Sequence, residues 1–147
     1  MRTCLFLTIL AGVLHAQGGA REGRICTERT IQGSYGFTFL GTRPASPAPG
    51  APIVEGRGVG IRIFDGQGNF TEVATVKGVN TPASIEQPAS GTYKINPDCT
   101  GTAFLTVPGL PGPAGEFRLV VVNKGKEIFF TLVNPIGPMT LTHAVRM

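Results

Sequence analysis

Two polar side chains, Glu72 and His143, interrupt otherwise apolar strand patterns and have the chemistry to move a proton or anchor a polar ligand group. A carboxylate and an imidazole enclosed in a dry interior would each have its proton affinity moved by burial and by the other. Alternation puts both on the inward face of their segments, where Tyr93 is a third group able to handle a proton. The plainer reading is structural: satisfied hydrogen-bonding groups, or one of them turned outward by a bulge.

The remaining constellations lead away from catalysis. No nucleophile–base–acid arrangement and no phosphate loop is present. Past the N-terminal segment only Cys26 and Cys99 remain, too few thiols for a four-ligand zinc site, and His143 is distant in sequence, so no metal and no cofactor is expected. Asp65-Gly66-Gln67-Gly68-Asn69 alternates oxygen ligands with glycine but lacks the further acidic ligands and closing Glu of a calcium loop, and it reads as a hairpin turn. Asn69-Phe70-Thr71 fits a glycosylation tripeptide that arises readily by chance. Gly56, Gly58 and Gly60 alternate ahead of no helix, which suits close packing or strand curvature.

The elements that must position these residues are strands. Ser34–Leu40 alternates Tyr35, Phe37 and Phe39 with small residues, and Gly58–Phe64 alternates Val59, Ile61 and Ile63 with Gly60 and Arg62. The Asp65–Gly68 turn leads into Phe70–Val79 and makes the clearest hairpin. Gly91–Asn96, Gly101–Val107, Glu116–Asn123, Glu127–Val133 and Met139–Arg146 complete about eight strands, with no helical periodicity between them.

Turn lengths alternate as well. Tight turns around Gly66, Asp98 and Gly125 would gather at one end of a meander, and the long connections Arg43–Ile53, Asn80–Ala89, Pro108–Gly115 and Asn134–Pro138 at the other. The expected fold is therefore all-β, a single antiparallel up-and-down barrel with a closed base and an elaborated mouth. Taking the more apolar face of each strand as inward lines the mouth with Phe39, Val59, Val107 and Met139, and places Glu72 deeper.

Residues 1–16 read as a signal peptide: Arg2 leads an apolar stretch, Leu5–Leu14, and the cut falls after Ala16 or as late as Ala20. Residues 17–147 then form one barrel domain, secreted or periplasmic. No segment approaches the roughly 20 apolar residues of a membrane-spanning helix. The formal net charge of +4 is scattered, which gives no clustered basic stripe for nucleic acid. In an oxidising compartment Cys26 and Cys99 would form a disulfide, both at the tight-turn end, with the chain after Cys26 crossing the base as a plug. Closing so long a loop is worth about 4 kcal/mol on the chain-entropy model.

Gly91-Thr92-Tyr93, Asn96-Pro97-Asp98-Cys99-Thr100-Gly101-Thr102 and Asp65-Gly66-Gln67-Gly68-Asn69-Phe70-Thr71 together resemble small exported bacterial β-barrel proteins of uncharacterised function. The architecture is similar to calycin-type barrels, among them the allene oxide cyclase and dirigent-like barrels. That resemblance implies a fold and transfers no catalytic residue.

The function this supports is a non-catalytic exported barrel that binds a small apolar ligand through its mouth, using Phe39, Val59, Glu72, Tyr93, Val107, Met139 and His143. The alternatives are a cyclase- or isomerase-like enzyme with Glu72, His143 or Tyr93 as proton carriers, and a filled barrel acting through its surface. Phe104, Val120, Val122, Phe129 and Val133 make the outer wall of strands five to seven unusually apolar, a surface suited to a homo-oligomer.

Overall fold

In a computed structural model, residues 25–44, 52–78, 84–109, 112–134 and 140–147 are described. They contain β1 (Gly33–Pro44), β2 (Ile53–Phe64), β3 (Asn69–Gly78), β4 (Ile85–Ile95), β5 (Thr100–Thr106), β6 (Gly115–Val122), β7 (Glu127–Asn134) and β8 (Thr140–Arg146). Each strand pairs antiparallel with the next, and β8 returns to β1, so the sheet is a closed up-and-down barrel. Each of the eight described strands therefore has a partner on both sides, so none is left as a whole edge strand. The proposed signal peptide lies outside the described residues, as does Met139.

Local chemistry sets the register at the tight turns. Asp65 Oδ1 accepts from the backbone N–H groups of Gln67 at 2.7 Å and Asn69 at 2.9 Å, while Asn69 Nδ2 donates to Asp65 Oδ2 at 2.7 Å. Those bonds, the Asn69 side chain first, hold the Asp65 carboxyl below its ordinary range. Asp98 does the same for the β4–β5 turn, accepting from Thr100 Oγ1 at 2.7 Å and Thr100 N at 3.0 Å. Both carboxylates are thus occupied by their own turns.

These turns close the base, and the segment before β1 seals it. Cys26 and Cys99 stand at disulfide distance, with Cα atoms 5.0 Å apart. The 3-10 turn Glu28–Ile31 then delivers Ile31 into the base, fully buried in the apolar cluster that also contains Tyr35, Phe64 and Phe130. Phe64 is the centre of this layer, edge-on to Tyr35 and Tyr93 at centroid distances of 5.4 and 5.0 Å. Arg146 ties the plug to the wall: its Nη2 donates to Thr30 O at 3.1 Å and to Tyr35 Oη at 2.9 Å.

The in/out assignment of two strands differs from the sequence expectation. Val59, Ile61 and Ile63 of β2 point outward, Val59 being 57% exposed, and Gly58, Gly60 and Arg62 share the inner face with Phe64. On β8, Leu141 and His143 point outward, and Thr142 and Ala144 are buried. The cause is the aromatic face of β1. Phe37 and Phe39 pair across the sheet with Gly60 and Gly58 on one side and with Ala144 and Thr142 on the other. Directly opposed residues share a face, so two inward Phe rings put four small residues inside with them. A Cβ added at Gly60 would lie 2.8 Å from Phe37 Cζ, which shows that the ring already fills that space.

Three strands also run further toward the mouth than alternation indicated. β1 and β2 extend to Pro44 and Ile53, and β4 begins at Ile85, ahead of Pro88. The proline is tolerated because β4 has there run past the last residue it pairs with on β5, Ser90 against Thr106, leaving one edge free.

Candidate functional site

Above the sealed base the lumen contains a cavity of about 190 Å³. Its walls come from the strand ends that border the long connections: Phe39, Gly56, Val76, Val107, Phe117 and Leu132 are among them. Its deeper part is lined by Phe37, Ala74, Thr142, Arg62 and Glu72. The depth follows from the strands: β3 places Phe70, Glu72, Ala74 and Val76 inward by strict alternation, so Glu72 lies nearer the base and Val76 nearer the mouth.

Glu72 does not meet an imidazole there. Its partner is Arg62, directly opposite on β2, whose Nε donates to Glu72 Oε2 at 2.6 Å and whose Nη2 contacts the same oxygen. Phe37, Phe70 and Phe130 surround the guanidinium, with Cζ 5.2, 4.7 and 4.7 Å from the ring centroids. Aromatic faces offset part of the lost hydration of a cation, and the carboxylate supplies the countercharge. The result is a buried, electrically neutral pair at the cavity floor.

The other expected site residues separate into three groups. Phe39, Val107 and Glu72 line the cavity. Val59 and His143 do not, since both are on the outer wall: His143 stacks on Phe129 at 4.6 Å and its Nε2 lies 3.2 Å from Glu127 Oε2. Hydrogen bonds from Asn123 and then His143 hold the Glu127 carboxyl below its usual range. Tyr93 is inside but belongs to the base, where its hydroxyl accepts from Gly66 N and donates to Glu28 O, both at 3.1 Å. Burial pushes the Tyr93 hydroxyl up, away from ionisation.

No family model, curated protein or solved structure matches the chain. Function therefore has to be read from the lumen itself. Among the described residues no group of three His, Cys, Asp or Glu side chains comes together to hold a metal ion, and no helix is long and apolar enough to cross a membrane.

Arg62 is the site residue that strand-by-strand reasoning misses. Its signal was available: once Glu72 is placed inward and the Asp65–Gly68 turn fixes the hairpin, the residue opposite Glu72 must be inward too. The apolar content of β2 taken alone points the other way, because Val59, Ile61 and Ile63 occupy its outer face.

Proposed function

We propose that this protein is a non-catalytic binding barrel that takes a small, mainly apolar molecule into its lumen through the mouth between the long connections. The observation that carries this reading is the contrast in filling along one continuous interior: a solid aromatic base below, and an apolar cavity lined by Phe39, Val107 and Leu132 above. Concave, mostly apolar sites with a few polar groups are where small molecules bind. The apparent signal segment and the Cys26–Cys99 pair support export to an oxidising compartment. The calycin-like reading is an analogy of architecture and adds no ligand. Titration with an apolar fluorescent probe tests the proposal: Phe39→Arg and Val107→Arg should each weaken binding more than tenfold. Equal binding to wild type and both variants would leave the filled, structural barrel as the better account.

The outer wall supports self-association as a second property. Val120 and Phe129 are direct cross-strand partners and exposed, and Phe104 and Val133 extend the same apolar wall. Sedimentation velocity of wild type and a Val120→Lys/Phe129→Lys variant decides it: the wild type should sediment as an oligomer and the variant as a monomer.

A further inference from the structure

The ion pair on the cavity floor uses only half of each partner. Arg62 Nε and Nη2, one edge of the guanidinium, both meet Glu72 Oε2. Arg62 Nη1 and Glu72 Oε1 have no hydrogen-bond partner among the described residues, although the two side chains are only 5% and 8% exposed. Both residues line the cavity. Buried polar groups are normally satisfied, and leaving one unmade is costly. Here a spare donor and a spare acceptor belong to two paired residues that line the same cavity.

Building on the ligand-binding reading above, we infer that the lumen selects a small molecule with an uncharged head that accepts from Arg62 Nη1 and donates to Glu72 Oε1, as a primary amide does, and a hydrocarbon body directed toward the mouth. Charge decides against an ion. The pair is already neutral, so an anionic head attracted by Arg62 meets the Glu72 carboxylate, and a cationic head attracted by Glu72 meets the guanidinium. Either ion must also be stripped of water in an apolar lumen. The rings of Phe37, Phe70 and Phe130 hold the guanidinium in place, so it cannot swing away from Glu72 to follow an anion. Size narrows the class further. The cavity of about 190 Å³ exceeds the roughly 150 Å³ that admits benzene and falls below the ~300 Å³ where drug-sized pockets begin. One ring, or a short chain of similar bulk, fits.

The test is an NMR titration of the full barrel, with Cys26 and Cys99 oxidised, at neutral pH using benzamide, benzoate, benzylammonium and toluene. Benzamide should bind at least tenfold more tightly than each of the other three, shifting resonances of Ala74 and Thr142. Benzoate or benzylammonium binding as tightly as benzamide would overturn the inference about the head, as would toluene doing so, and all three outcomes leave ligand binding itself intact. Failure of all four compounds to shift any lumen resonance would instead defeat the ligand-binding reading and this inference with it. In an Arg62→Met/Glu72→Leu variant, which removes both charges together, benzamide should fall to the affinity of toluene; a retained preference would place head recognition elsewhere. The wild-type series decides the question even if that variant does not fold.

Discussion

The two halves of the barrel interior are built from the same eight strands yet do opposite things with them. At the base, Tyr35, Phe64, Phe130, Ile31, Leu119 and Ile128 are all but completely buried, and tight turns, a plug and a cysteine pair hold them there. Toward the mouth the strands lengthen, small residues alternate with Phe rings, and a cavity remains. Concentrating close packing at one end supplies the stability that lets the other end stay open. The Arg62–Glu72 pair marks the boundary.

The contrast should be clearest in truncations. Phe64→Ala is expected to cost about 3–5 kcal/mol in denaturant unfolding, the range for a fully buried Phe, whereas Phe39→Ala at the cavity should cost less than half as much. Equal losses would mean that the mouth is as tightly packed as the base. At the boundary, Glu72→Leu alone should cost ~3–5 kcal/mol because it strands the guanidinium, while the Arg62→Met/Glu72→Leu double change should come within about 1 kcal/mol of wild type. A double variant as unstable as the single would show that the pair organises the lumen rather than merely neutralising itself.

Replacing Cys26 and Cys99 together by Ser should lower stability by about 2–4 kcal/mol and loosen the plug first, which hydrogen exchange at Ile31 and Gln32 would report. Alkaline pH should weaken the same end. Burial raises the Tyr35 and Tyr93 hydroxyls above their ordinary value of 10.0, so stability is fully present below pH 10 and falls as pH rises toward and through the folded values. Tyr35→Phe should flatten part of that alkaline loss. The smallest effect belongs to the outer wall: His143→Gln is expected to change stability by less than about 0.5 kcal/mol, since the imidazole pairs with a carboxylate that is itself partly exposed.

Much of this division was legible in the residues. Short turns at Gly66, Asp98 and Gly125 and long connections between them implied a closed end and an open one, and the barrel has its strands in that order. Cys26 and Cys99 meet where the meander puts them. Glu72, Phe39 and Val107 were placed in the lumen and are there. Val59 and His143 lie outside for one reason: the more apolar face of an isolated strand is not always its inner face. In a narrow barrel volume overrides hydropathy. β1 supplies bulky rings, so its neighbours β2 and β8 supply Gly58, Gly60, Thr142 and Ala144 to the interior and release their branched apolar residues outward. The cross-strand pairs Phe39–Gly58, Phe39–Thr142 and Arg62–Glu72 carry the information that single-strand alternation lacks.

The seam between β1 and β8 has a kinetic consequence. It joins the first strand to the last, with Tyr35 and Arg146 in contact across 111 positions of chain, whereas every other strand pair is adjacent in sequence. Hairpins of neighbouring strands close over short loops, but the seam must wait for nearly the whole polypeptide and its larger loop entropy. Until then β1 and β8 are open edges bearing Leu40 and Leu141, which in the finished barrel lie directly opposite one another. Such edges are the natural sites for exchange of a terminal strand between two molecules. The step that makes the fold continuous is therefore also the one at which nascent copies are most exposed to entanglement.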